Sequence, residues 1–240
     1  MNRILYQKHE LAHDQLLLTD HRATHILQVL KAQPGEELRT GEIDGPLSVS
    51  EVLKVEHQKV LLRVREEHCP SRPELDLLLA MPRPKVLKRL LPQIAAMGVD
   101  RIFLVNAERV EKYYFDTHVL SETFLFQALV EGLQQSGDTC LPRVELVRHL
   151  PSFLAKTDFP ANRWLLHPYG GESFLRADLR PGRRLIAIGP EGGWRPAELE
   201  EFAEKGFKQV TLFDRILRSD TACVVALGIA VAKGVPHGGS

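Results

Sequence analysis

The spacing of apolar residues divides the chain near residue 70. From Met1 to about Val64 they come in short stretches, which predict strands over Arg3–Tyr6, Leu47–Lys54 and Lys59–Val64. Pro34-Gly35, Asp44-Gly45-Pro46 and Glu56-His57 punctuate these pieces, and Asp-Gly between extended runs is a hairpin signal. One segment, Arg22–Leu30, instead sets Ile26, Leu27 and Leu30 at helical spacing. A small β-barrel or half-barrel fits this pattern. The polar stretch Glu66–Pro73, with two prolines, reads as a linker.

Beyond the linker, strand and helix patterns alternate. Leu75–Ala80, apolar at every position but Asp76, suits a strand buried on both faces. Pro84–Met97 follows as a helix, with Pro84 in its first turn, Gly98 past its end and Pro92 predicting a kink. Arg101–Val105, Trp164–Leu166, Leu185–Ile188 and Gln209–Leu212 read as strands. Ser121–Gln135, Ala197–Lys205 (entered through Pro196, stopped by Gly206) and Thr221–Ala232 read as helices, the last with Ser219 as N-cap. Such alternation predicts an α/β domain with a mainly parallel sheet. The tail His237–Ser240 reads as disordered.

Composition narrows the function classes. At 240 residues, 44% hydrophobic and 26% charged, the chain buries a core as one large domain or two smaller ones. Its 31 basic and 31 acidic residues are spread evenly, which argues against an indiscriminate nucleic-acid binder. An RNA enzyme whose fold sorts cations onto one face remains compatible. Cys69, Cys140 and Cys223 lack metal-ligand spacing, and no secretory signal is visible, so a cytoplasmic protein with reduced thiols and no metal is expected. The longest apolar run, Ala222–Ala232, is too short to span a bilayer.

Four stretches carry candidate chemistry. Ile188–Trp194 places three glycines between an apolar strand and a helix, where α/β sheets bind ligands and where glycine lets a ligand approach the backbone. It lacks the spacing of a dinucleotide fingerprint or a phosphate loop, so no pyrophosphate cradle is expected. A plain tight turn explains it equally well. In Leu212–Ala222, two arginines and two acids flank Ile216-Leu217. Apolar side chains beside fixed polar groups suit a purine or nucleobase, although a capped helix with surface ion pairs is the simpler reading. Arg83, Lys85, Lys88 and Arg89 form a basic stripe that grips phosphate or merely faces solvent. Glu131–Pro142 offers polar groups for a base edge or a dimer contact, or a helix end closed by Gly137. His25 reads as structural and His167-Pro168 as a pocket candidate. No nucleophile elbow is present.

Gly189-Pro190-Glu191-Gly192-Gly193 together with Arg215-Ile216-Leu217-Arg218 and Thr221-Ala222 resembles the RsmE family, the 16S ribosomal RNA uracil-N3 methyltransferases of the SPOUT class. Met1-Asn2-Arg3, His25–Lys31 with Gly35, Met97–Ile102 and Glu131–Pro142 resemble segments of that family in the same order, so the likeness covers nearly the whole chain. The resemblance implies a PUA-like RNA-binding β-barrel over residues 1–70. Over 74–236 it implies a SPOUT domain with a deep trefoil knot, which chain-threading rules alone would exclude. It implies S-adenosylmethionine (SAM) as cofactor, held by His167, Pro168, Gly189, Pro190, Glu191, Gly192, Gly193, Leu212, Phe213, Asp214, Arg215, Ile216, Leu217 and Arg218. Arg218 and Asp220 become the catalytic candidates, and Arg3, Lys31, Arg83, Lys85, Lys88 and Arg89 the RNA contacts. The implied partners are 16S rRNA or the small ribosomal subunit and a second copy of the chain in a homodimer. Phe213 stands where glycine is usual, Asp220 where glutamate is, and Asp138 where many members have arginine. Two alternatives stay open: a SPOUT enzyme acting on a ribose 2′-hydroxyl or another base, and a non-catalytic RNA-binding ribosome-assembly protein.

Overall fold

A computed structural model describes residues 2–178 and 181–234, so the tail His237–Ser240 lies outside the described residues. The chain forms two compact units, Met1–Arg72 with Val130–Leu141, and Pro73–Leu129 with Pro142–Ser240.

The first unit holds a six-stranded sheet made of β1 (Ile4–Tyr6), β2 (Leu11–Ala12), β3 (Gln15–Leu18), β4 (Glu37–Glu42), β5 (Leu47–Glu56) and β6 (Lys59–Glu66), in the order β1-β4-β5-β6-β3-β2. The predicted Asp-Gly hairpin joins β4 to β5, with Asp44 at φ +58°. Period-two alternation in β6 buries Val60, Leu62 and Val64 against Leu16, Leu18, Ala23 and Ile26. The predicted helix is composite. Helix α1 (His21–His25) is capped by the Asp20 side chain, and the π-helical turn Ile26–Leu30 ends at Lys31 in the left-handed region, φ +54°. The segment Val130–Leu141 belongs here through backbone bonds from Asn2 N to Gln134 O (3.0 Å) and Asp44 N to Thr139 O (2.8 Å). Strands β2, β3 and β4 were not predicted. In β4 a glycine interrupts the apolar pattern, and its buried side chain Thr40 is polar, bonded to Ser48 and Ser50 at 2.8 and 2.6 Å.

The second unit holds a seven-stranded sheet whose neighbouring strands are all parallel. Its strands are β7 (Leu75–Ala80), β8 (Arg101–Val105), β9 (Arg143–Val147), β10 (Asn162–Leu166), β11 (Glu172–Ser173), β12 (Arg184–Ile188) and β13 (Lys208–Thr211). Their order is β11-β13-β10-β12-β7-β8-β9. Central β7 is buried at every position, as expected of a parallel strand covered on both faces. Helix α2 (Pro84–Ala96) spans Pro92 and buries Val86, Leu87, Leu90, Leu91 and Ile94 at helical spacing. Helices α4 (Leu150–Lys156), α5 (Pro196–Glu204) and α6 (Ser219–Gly234) and residues 122–129 of α3 (Glu122–Ser136) complete the set. Ser219 is not the cap of α6 but its first residue, because the Arg218 carbonyl already accepts the helical bond from Ala222 N at 2.8 Å. Asp76 and Asp100 are buried at the amino ends of β7 and β8 and are neutralised by arginines. Asp76 meets Arg101 at 2.5 Å and Arg183 at 2.7 Å, and Asp100 meets Arg183 at 2.8 Å.

Candidate functional site

Strands β13, β10 and β12 are adjacent and parallel, with Leu166 in register with both Val210 and Ile188. Three loops therefore leave the same sheet edge together, beginning at His167, Gly189 and Leu212. With the first turn of α6 they enclose a cavity of about 320 Å³. Of the predicted set, His167, Pro168, Gly189, Pro190, Glu191, Gly193, Leu212, Phe213, Arg215, Ile216, Leu217 and Arg218 line it. Gly192, Asp214 and Asp220 are outside the lining. The cofactor set named from the sequence left out Leu166, Ile188, Trp194, Ser219 and Ala222, although all but Leu166 fall within the candidate stretches 188–194 and 212–222. The first two end strands that read as plain core, and the last two lie on a helix whose cavity-facing side only the packing defines.

The cavity floor is apolar and its rim is charged. Leu166, Ile188, Leu212 and Trp194 are buried, whereas Phe213 and Ile216 are 45% and 67% exposed at the lip. Among the described residues, the backbone amides of 213–218 donate to no protein acceptor, which leaves them available to a ligand. The 189–193 loop turns through Gly193 at φ +72°, whose N–H donates to Pro190 O at 2.8 Å. Gly189 has a different reason to be glycine: a Cβ there would stand 2.9 Å from Trp194 Nε1. His167 is held in place by the Tyr169 backbone, its Nδ1 lying 2.8 Å from Tyr169 O and 3.2 Å from Tyr169 N.

Arg218 and Asp220 pair at the mouth. Arg218 Nε lies 3.4 Å from Asp220 Oδ1, and Nη2 lies 3.5 Å from Oδ2. Asp220 also accepts from Thr221 N at 3.0 Å, and Arg89 approaches it at 3.9 Å. The exposed stripe Arg83, Lys85, Lys88 and Arg89 on α2 thus ends beside this pair, with Lys88 Nζ 5.7 Å from the Phe124 ring centroid. Cys223 is fully buried one turn into α6. Burial, with Asp220 adding to it, pushes its thiol up to about 12, so it is no nucleophile.

Arg3 and Lys31 belong to the first unit. The guanidinium of Arg3 donates to the carbonyls of Thr40 (2.5 Å), Ser48 (3.1 Å) and Gly137 (3.0 Å), a use that holds the fold together. Lys31 is exposed at its left-handed turn. His25 keeps its Nε2 buried with no hydrogen-bond partner among the described residues, and burial lowers its pKa. In the 131–142 stretch, Gly137 (φ +79°) closes α3, Asp138 Oδ1 accepts from Thr139 N and Cys140 N, and Thr139 Oγ1 donates to Gly45 O at 2.7 Å. Among the described residues, no group of three or more His, Cys, Asp or Glu side chains is placed to hold a metal, and no helix is long and apolar enough to cross a membrane.

Comparison with known proteins adds an independent line. The RNA methyltransferase domain family matches residues 69–231. The ribosomal RNA small subunit methyltransferase E of Treponema pallidum is 30% identical, the match covering 97% of this chain and 91% of that protein. One of two such proteins in Borreliella burgdorferi is 25% identical over 90% of this chain and 92% of its own. Among solved structures, the ribosomal RNA small subunit methyltransferase E of Neisseria gonorrhoeae, determined with S-adenosyl methionine bound, superposes with a TM-score of 0.77. Its identity is 22%, with 95% of each chain covered, and it speaks to the fold.

Proposed function

Because this chain belongs to the ribosomal RNA small subunit methyltransferase E family, we propose that it transfers a methyl group from SAM to N3 of a uridine in 16S ribosomal RNA. The observation that carries this reading is the convergence of His167-Pro168, the 189–193 loop and the 212–218 loop on one cavity at the carboxyl edge of a parallel sheet. The donor set fits a sulfonium nucleoside. Unengaged amides of 213–218 suit the edge of a purine, and Leu166, Ile188, Leu212 and Leu217 suit its faces. Glu191 is the carboxylate on the lining that favours a positive charge. Bound there, SAM supplies an electrophilic methyl group.

The chain's own residues handle the substrate. Uracil N3 pairs in a duplex, so the target base must be unpaired or extruded to reach the cavity. The N3 proton passes to solvent water at the open mouth, which leaves negative charge on the ring, and Arg218 there is the donor that stabilises it. The sequence leaves two roles for Asp220, proton acceptor or holder of Arg218. Its 3.4 and 3.5 Å contacts with Arg218, and its place outside the lining, support the second. The exposed stripe from Arg83 to Arg89 supports a phosphate-contacting role beside the mouth.

The same reading makes 1–70 a PUA-like RNA-binding barrel and 74–236 a SPOUT domain with a trefoil knot. It also makes the protein a cytoplasmic homodimer acting on 16S rRNA or the small subunit. Calorimetry with SAM, followed by incubation with 16S rRNA and digestion to nucleosides, tests the proposal. Micromolar binding and a product with the mass and retention of N3-methyluridine are expected. A 2′-O-methylated nucleoside, or no SAM binding, overturns it. Arg218→Ala should lower kcat by about a hundredfold, and Asp220→Asn should reproduce part of that loss.

A further inference from the structure

We propose that Arg109 is a positioning residue that holds the 189–193 loop in its ligand-accepting shape, acting through the Gly192 carbonyl. The inference deepens, and rests on, the reading of the cavity as a SAM site. Arg109 comes from the turn after β8, two strands away from β12 in the sheet and 83 residues away in sequence. Its Nη1 donates to Gly192 O, and among the described residues this is its one polar partner. The approach is close: a Cβ at 192 would lie 3.0 Å from Arg109 Cδ and 3.5 Å from its Cβ, so the arginine would have to shift by a few tenths of an ångström to admit one.

The turn that carries Arg109 is itself anchored. Val110 N donates to Ala107 O at 3.0 Å, and Glu108 N donates to Glu198 Oε1 at 2.8 Å. The other oxygen of Glu198 accepts from Arg195 N at 2.8 Å, where the glycine loop enters α5, and Arg195 Nε pairs with Glu108 at 3.2 Å. Glu198 is 8% exposed, so one buried carboxylate ties the Arg109 turn to the far end of the loop. Between these ends, the loop's own bracing is the Pro190–Gly193 bond, and adjacent glycines give it wide conformational freedom. The Arg109 bond fixes the free middle, and Gly193, the next residue, lines the cavity. A loop ordered before binding leaves less entropy to lose when its ligand arrives.

Arg109→Met, Arg109→Lys, Gly192→Ala and the Arg109→Met/Gly192→Ala double variant test this by SAM calorimetry and by hydrogen exchange of the loop amides in ligand-free protein. Arg109→Met should weaken SAM binding about tenfold, the loss of one charge-assisted hydrogen bond. It should also speed exchange at residues 191–194 and leave the melting temperature unchanged. KM for SAM should rise while kcat at saturating SAM holds. Arg109→Lys should recover part of the loss. Gly192→Ala should weaken binding similarly, and the double variant should be no worse than either single one, since both act through the same hydrogen bond. Wild-type affinity and exchange in Arg109→Met, or additive losses in the double variant, overturn the proposal. A wild-type protein that binds no SAM overturns the cofactor reading instead, and the exchange measurement then still decides whether Arg109 holds the loop.

Discussion

Replacing Gly189 by alanine measures how closely the cavity loop is moulded to the core. The added Cβ would stand 2.9 Å from Trp194 Nε1 and 3.1 Å from both Cδ1 and Cε2. The indole has little room to retreat: Trp194 is 3% exposed and meets Phe202 at 4.9 Å between ring centroids, and Phe202 meets Phe207 at 4.9 Å. Overpacking of this kind costs about 1–3 kcal/mol, and a rigid ring pressed against an aromatic stack argues for about 2 kcal/mol. For a chain of this length each kcal/mol moves the melting temperature by about 2–4 °C, so a fall of roughly 4–8 °C is expected. SAM affinity should fall with it, because both residues line the cavity. Gly228→Ala is the contrast. Its Cβ would meet Met97 Cε at an ordinary 3.6 Å inside α6, and removing a helical glycine should stabilise by about 0.5–1 kcal/mol. Differential scanning fluorimetry and calorimetry on both variants decide the matter. If Gly189→Ala melts with the wild type and binds SAM equally well, the moulding argument is wrong.

Other outcomes follow from the same geometry. Asp76→Asn leaves Arg101 and Arg183 facing a neutral partner at a wholly buried position and should cost about 3 kcal/mol in chemical denaturation, the low end for a broken buried pair because both arginines are partly exposed. Its SAM affinity should be unchanged, since the pair lies at the opposite sheet edge; a matching loss of affinity would contradict that separation. Replacing Lys85, Lys88 and Arg89 by alanine together should weaken rRNA binding and flatten its salt dependence by about 0.7 log units for each phosphate no longer neutralised, so an unchanged slope in a salt titration removes the stripe from the interface. Thiol titration at pH 8 should find Cys69 alone reactive in the native protein. Burial raises Cys140 to about 11 and Cys223 to about 12, so their thiolates are scarce until denaturant releases both. Rapid native reaction of more than one thiol would show that this burial is incomplete.

What could be read from the chain alone is what short-range physics decides. Leu75–Ala80 was legible because its burial on both faces demands apolar side chains at every position but Asp76, and the helices before Gly98 and Gly206 were legible because those glycines stop them at φ +70° and +71°. The residue types of the site were visible for the same reason, as glycines, arginines and a helix start in two short stretches. Strand β9 was not legible, because at the sheet edge it leaves Arg143, Glu145 and Leu146 exposed and shows no apolar run. Nor was the membership of Val130–Leu141 in the first unit, which rests on bonds to Asn2 and Asp44 more than 90 residues away. The tertiary structure alone decided that Arg3 faces three carbonyls, that Asp220 stands behind Arg218, and that Arg109 reaches Gly192. It decided the cavity as well, because three loops far apart in sequence meet only through the non-sequential order β13-β10-β12. Backbone propensity acts over a few residues, whereas strand order is set by which apolar faces bury one another across the whole chain.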